Sequence, residues 1–140
     1  SLTQKLNSAY KVSIDTSHMP EDEEMLLVKG DDKLILTALK NLMENACKFS
    51  PSKSARVSFR TSGSSIQIFV KNEGKGIPAN DLPYIFQPFF RGENTASSKG
   101  YGIGLSLVER IIQLHNGQIS VVSVPDSFTE FTVTFHVSGQ

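Results

Sequence analysis

Two short runs of residues carry most of the chemical information in this chain. The first is Asn41-Leu-Met-Glu44-Asn45-Ala-Cys-Lys48-Phe49, and the second is Gly100-Tyr-Gly102-Ile103-Gly104-Leu105. At helical spacings of three and four, Asn41, Glu44, Asn45 and Lys48 share one side of a helix. Such a polar side is the ordinary solvated face of an amphipathic helix. Asparagine is a mediocre helix former, however, so two of them one turn apart in the helix ask for a further reason. A neutral amide oxygen suits magnesium, which keeps most of its waters and leans on phosphate oxygens. Lys48, one turn further on, is a point charge within reach of a phosphate. Phe49 fits either the core or the end of a pocket where a flat ring stacks.

The glycines supply the complementary half. A glycine inside a helix costs about 0.5–1 kcal/mol, and its use is close approach of the backbone. N–H groups of Gly102, Gly104 and Leu105 at a helix start, aided by the helix dipole, suit an anion such as phosphate. A second cluster, Gly74-Lys75-Gly76-Ile77-Pro78, would by itself be only a tight turn. No strand of Rossmann type precedes Gly100, and G-x-x-x-x-G-K-[ST] is absent, so dinucleotide and Walker-type sites are disfavoured. Together the segments point to a nucleotide carried with magnesium.

These residues need elements to hold them. Lys11–Thr16 alternates with period two and reads as a strand, and Met25–Lys29 is a second short candidate. A helix is predicted from about Asp31 to Phe49, with Ile35, Leu39, Leu42, Ala46 and Phe49 as its apolar face. Ala55–Thr61 and Ser65–Val70 read as a hairpin through Ser62-Gly63-Ser64. Asn80-Asp81 is a candidate cap for a short helical turn running to about Phe86. Arg91 to Lys99 lacks periodicity and is predicted to be a mobile loop. Tyr101 to Leu114 is predicted to be a second helix, with Ile103, Leu107, Ile111 and Leu114 on its apolar side. Gln118–Val124 and Phe128–Val137 alternate as the last strands. The expected fold class is α+β: a two-layer sandwich of one mixed, mostly antiparallel sheet with helices on one face.

Bulk properties narrow the class. At 140 residues the chain fits one domain able to bury a core without disulfides or a structural metal. Fourteen basic residues balance 14 acidic ones, which disfavours bulk electrostatic binding to nucleic acid or to an anionic membrane. The lone Cys47 cannot form an internal disulfide, so a reducing, cytoplasmic compartment fits best. No apolar run approaches the ~20 residues of a membrane helix.

Read in order, the segments resemble the catalytic, ATP-binding domain of bacterial sensor histidine kinases, a branch of the gyrase, Hsp90 and MutL superfamily with the Bergerat fold. Asn41–Phe49 resembles the family's N box, and Asn72–Ile77 its first glycine box. Ile85-Phe86-Gln-Pro-Phe89-Phe90-Arg91 resembles its F box, and Gly100–Leu105 its second glycine box. The resemblance covers roughly residues 26–137. It implies a lead-in over residues 1–25, with the tail of a preceding helical domain and the first strand, and an ATP-binding domain over 26–140.

The resemblance also implies roles. Asn45 would be the magnesium ligand, Asn41 would support the phosphate and metal region, Lys48 would contact phosphates and Phe49 would flank the adenine. Ile77 would line the base pocket with Gly74 and Gly76, and Thr129 would lie near the adenine amino group. Gly100, Gly102, Ile103, Gly104 and Leu105 would bind nucleotide. The F box and the loop to Lys99 would form a lid, from which Arg91 reaches phosphate. One departure stands out: Asn72 occupies the position of an aspartate that accepts a hydrogen bond from the adenine amino group. A neutral acceptor is weaker than a charged one, so weaker or less adenine-selective binding is expected, with a non-catalytic interaction module as the alternative. Asn41 stands where the ATPase branches carry a water-activating glutamate, which argues for phosphotransfer over hydrolysis.

The expected acceptor is a histidine in a separate dimerisation domain. His18, His115 and His136 lack the family's phosphoacceptor context, so no catalytic histidine is expected in this chain. By the same resemblance, ATP and Mg2+ are the expected ligands and a response regulator receiver domain the downstream partner. The full-length protein would be an inner-membrane-anchored homodimer, and this segment alone a monomer.

Overall fold

The computed structural model describes residues 10–15, 32–88 and 104–136. Within them the order is β1 (Lys11–Asp15), α1 (Asp32–Lys48), β2 (Ser54–Ser62), β3 (Ser65–Glu73), a 3-10 turn (Leu82–Tyr84), α2 (Gly104–Leu114), β4 (Gln118–Val124) and β5 (Phe128–His136). The strands form one five-stranded sheet in the order β1-β2-β3-β5-β4. Among the described residues β1 and β2 pair in parallel and the other three pairings are antiparallel. The expected α+β sandwich, mixed and mostly antiparallel, is the observed fold. The strand candidate at Met25–Lys29, the Arg91–Lys99 loop and His18 lie outside the described residues.

Alternation decides which side of the sheet is buried. Ala55 and Val57 of β2, Ile66, Ile68 and Val70 of β3, and Phe131, Val133 and Phe135 of β5 all turn inward. Register stacks them in rows: Ile66 opposite Phe135, Ile68 opposite Val133, and Val70 opposite both Val57 and Phe131. Helices α1 and α2 pack against each other and cover this face. Phe86 closes one edge, its ring edge-on to Phe131 at 6.2 Å between centroids.

Both helices are rotated relative to the sequence expectation. In α1 the buried line is Ala38, Leu42, Met43, Ala46 and Cys47, while Ile35, Leu39 and Phe49 are only partly covered. In α2 the buried residues are Leu105, Val108, Ile111 and Ile112. Leu107 and Leu114, expected inside, are 41% and 59% exposed. Both sets in α2 fit a helical spacing because the helix is apolar on more than one side. The choice falls to the neighbours, α1 and β4, which no local periodicity encodes. Asp81 precedes the 3-10 turn but makes no capping hydrogen bond with its side chain; Pro83 inside the turn removes one of the N–H groups a cap would satisfy.

Candidate functional site

The apolar rows of the sheet end in a polar one. Asn72 of β3 lies opposite Thr129 of β5, and Thr129 opposite Ser123 of β4. Asn72 and Thr129 are 7% and 5% exposed and form the floor of a cleft of about 300 Å³. Its walls are Asn45, Lys48 and Phe49 at the end of α1, Ser50, Pro51 and Lys53 after it, and Lys75, Gly76 and Ile77. Lys48 carries its ammonium 5.3 Å from the centre of the Phe49 ring at the rim.

A network of short hydrogen bonds fixes this end. The Asn72 side chain donates from Nδ2 to the carbonyl oxygen of Glu73 at 3.1 Å, which turns the other corner of the amide, the acceptor Oδ1, away from that carbonyl. Ile77 N–H donates to Ser123 Oγ at 2.6 Å, and Ser123 Oγ lies 2.9 Å from Thr129 Oγ1. The turn between them is strapped to the β4–β5 hairpin: Gly74 N–H donates to the Ser127 carbonyl, and Asp126 N–H to the Lys75 carbonyl. Gly76 has φ +82°, and a Cβ there would meet Ser123 Oγ at 2.8 Å and the Val124 carbonyl at 3.0 Å. At Gly74 a Cβ would meet the Phe49 carbonyl at 2.9 Å. The turn needs glycine for both conformation and closeness.

Asn45 and Lys48 also border a second hollow of about 160 Å³. Asn41 and Glu44 of α1, Tyr10, and Gly104 and Leu105 at the start of α2 complete it. Here the side chains of Asn41, Glu44, Asn45 and Lys48 are half-buried, not closed in. Glu44 is engaged with Lys40 at 3.7 Å in an exposed pair one turn back. A Cβ on Gly104 would meet nothing within 4 Å among the described residues, so packing there does not demand a glycine. Among the described residues no group of three His, Cys, Asp or Glu side chains is placed to hold a metal. The donor set at this end is instead one of amides beside a cation. It fits a magnesium ion that arrives on a phosphate and keeps its waters, and does not fit an all-protein cage.

Of the residues singled out in the sequence, the fold gathers Asn41, Asn45, Lys48, Phe49, Asn72, Gly74, Gly76, Ile77, Gly104, Leu105 and Thr129 along this one cleft and its turn. Leu105 contributes only its backbone side, because its side chain is buried in the core. Arg91, Gly100, Gly102 and Ile103 lie outside the described residues. Ser123, Tyr10 and Lys53 were not singled out. A serine in an alternating strand gives no signal, and only register and the β4–β5 hairpin bring Ser123 under the glycine turn. The other histidines stand apart from the cleft. His115 contacts the Ile111 carbonyl through Nδ1 at 2.7 Å at the end of α2. His136 pairs with Ser65 at the opposite end of β3, ~27 Å from the Glu73 end at the usual strand rise.

The comparisons agree with this geometry. A family model described as histidine kinase-, DNA gyrase B-, and HSP90-like ATPase matches residues 30–139. The sensor-like histidine kinase SenX3 of Mycobacterium tuberculosis (strain ATCC 25618 / H37Rv) is 36% identical over 132 residues, 90% of this chain and 32% of that protein. The sensor histidine kinase YkoH of Bacillus subtilis (strain 168) is 35% identical over 134 residues, 94% of this chain and 29% of that protein. The chain thus spans about a third of the length of the curated relatives it matches. A nucleotide-free catalytic domain of the histidine kinase ThkA shares the fold with a TM-score of 0.72 at 24% identity, over 92% of this chain and 80% of that one. Cleft, fold and relatives converge: this chain belongs to the family of histidine kinase-, DNA gyrase B- and HSP90-like ATPases, as a domain of the sensor histidine kinase type.

Proposed function

We propose that this chain is the ATP-binding catalytic domain of a sensor histidine kinase, which holds ATP with Mg2+ and presents the γ-phosphate to a histidine on a separate dimerisation domain. The observation that carries the reading is the adjacency of two hollows that share Asn45 and Lys48. One end is a buried, neutral hydrogen-bonding floor suited to a base. The other end brings amides and an ammonium to the start of a helix, which suits phosphates.

In this reading the base enters between Phe49 and the Gly74–Ile77 turn, its polar edge on Asn72 and Thr129. Asn45 faces the metal-bearing phosphates, Asn41 steadies the same region and Lys48 neutralises phosphate charge. Bound Mg2+ supplies charge neutralisation to the transferring group. The backbone N–H groups at the start of α2 orient the phosphate tail. Transfer then rests on positioning and electrostatics. Asn41 cannot take a proton from water, which favours transfer over hydrolysis. A receiver domain of a response regulator would take the phosphoryl group next. The cytoplasm is the compartment this chemistry needs, and among the described residues no helix is long and apolar enough to cross a membrane.

The test is reconstitution. This chain, mixed with the histidine-bearing dimerisation domain of its full-length protein and γ-labelled ATP, should label that histidine with an acid-labile phosphate. Steady ATP turnover by the chain alone, with no label transferred, would contradict the reading. Asn72 favours a second one, an interaction module without catalysis, because a neutral acceptor stands where the family carries a charge; absence of both binding and transfer would support it.

A further inference from the structure

Tyr10 comes from outside the segments that frame the cleft. It lies ahead of residues 30–139, which the family model matches, and immediately before β1. Lys11 is exposed, whereas Tyr10 and Val12 pack against the core, so these two share the inner side of the chain. Tyr10 also borders the hollow that holds Asn41, Asn45 and Lys48. The backbone beside it is held in place. Lys11 N–H donates to the Lys53 carbonyl at 2.8 Å, and the Lys11 carbonyl lies 3.9 Å from Cys47 Sγ. Among the described residues the Tyr10 hydroxyl has no hydrogen-bond partner.

The charges around that hollow decide what a phenol can do there. Glu44 and Lys48 both line it and cancel formally, so its described lining carries no net positive charge. A phosphate chain placed there depends on neutral donors. The amides of Asn41 and Asn45 and the backbone at the start of α2 supply some of them. A phenol supplies another, with an apolar ring that packs and a polar tip that bonds. A hydrogen bond to an ionised oxygen is about twice as strong as one between neutral groups, so a phosphate oxygen is the acceptor that rewards this donor most. Glu44, the other charged acceptor at the hollow, is paired with Lys40 at 3.7 Å. We propose that Tyr10 is a phosphate-binding residue, whose hydroxyl donates to an oxygen of the nucleotide's phosphate chain beside Asn45 and Lys48. The proposal rests on the nucleotide reading and deepens it, by giving the phosphate end a ligand that none of the motif segments contains. Because Lys11 is tied to Lys53 and Cys47, the pull of a bound phosphate on Tyr10 reaches the entry to β1.

The experiment measures Kd by calorimetry for a non-hydrolysable ATP analogue with Mg2+, and for adenosine by competition, on wild type and Tyr10→Phe, with folding checked by circular dichroism. Tyr10→Phe keeps the ring and removes the hydroxyl alone. It should weaken binding of the analogue about tenfold, the loss of one hydrogen bond to a charged group. Adenosine, which has no phosphate, should bind both proteins equally. Unchanged affinity for the analogue would overturn the inference and leave the nucleotide reading intact. Loss of both ligands by the same factor would do so too, because it marks Tyr10 as packing only. If Tyr10→Phe does not fold, Tyr10→Leu is read by the same comparison of the two ligands, with the same outcomes. A wild type that binds neither ligand would overturn the nucleotide reading itself, and the inference with it.

Discussion

The two ends of the cleft are built differently. At the Asn72–Thr129 end hydrogen bonds tie the floor and its turn into the protein: Asn72 to Glu73, Ile77 to Ser123, Gly74 and Lys75 to the β4–β5 hairpin. Its glycine at position 76 is demanded by a left-handed φ and by neighbours closer than a Cβ tolerates. At the Asn41–Lys48 end the polar side chains are half-buried, and among the described residues nothing lies within 4 Å of where a Gly104 Cβ would be. One end is closed by hydrogen bonds within the fold, whereas the other is open among the described residues. A buried floor made in advance lowers the ordering cost of recognising a flat base. An open end leaves room for phosphates and their waters.

The contrast breaks most visibly at the two glycines. Gly76→Ala forces a side chain into the left-handed region and against Ser123 and Val124, at about 1–3 kcal/mol of strain. Thermal unfolding should show the melting temperature lowered by roughly 4–12 °C, with nucleotide binding lost alongside. Gly104→Ala should do the reverse to stability. With no steric obstacle among the described residues, alanine in a helix stabilises by about 0.4–1 kcal/mol. Affinity for an ATP analogue should nevertheless fall about tenfold, the mark of a position kept open for a ligand. If both substitutions destabilise alike, the two ends do not differ as described.

Asn72→Asp sharpens the comparison at the finished end. The new carboxylate is a stronger acceptor for an amino group, so titration with ATP should show affinity rising about three- to tenfold near neutral pH. The same change deletes the donor to the Glu73 carbonyl and faces it with negative charge. Chemical denaturation should therefore show about 1–2 kcal/mol less stability. The gain in affinity should fade in acid as the carboxyl is protonated.

The smallest effect concerns Cys47, which lies in the core beneath the polar face of α1. Burial pushes its thiol above the ordinary value of 9.0. The unfolded chain therefore releases this proton first as pH rises. Stability should be flat below that value and decline above it, because the raised group contributes only while protonated in both states. Cys47→Ala should remove that alkaline slope and leave nucleotide affinity at pH 7.5 unchanged, which equilibrium denaturation across pH would check.

Much of this was legible in the sequence, for identifiable reasons. The strands alternate cleanly, so β2, β3, β4 and β5 follow from period two, and α1 follows from its polar side at three and four. The order of the motifs is enough to bring the family into view. What was not legible depends on partners distant in sequence. The buried side of α2 is Leu105, Val108, Ile111 and Ile112, and not Leu107 and Leu114, because α1 and the sheet choose among several apolar stripes. The parallel pairing of β1 with β2 has no local signature. Alternation puts Ser123 on the inner face with Ile119 and Val121, but only register sets it under the turn.

The central claim, that this cleft is a magnesium–nucleotide site, is tested most directly by calorimetric titration of the chain with a non-hydrolysable ATP analogue, with and without Mg2+, alongside Asn45→Ala. The account predicts binding that Mg2+ strengthens and that Asn45→Ala weakens by about 100-fold in the presence of the metal. Equal binding by wild type and Asn45→Ala, or no binding by wild type at millimolar nucleotide, would contradict it.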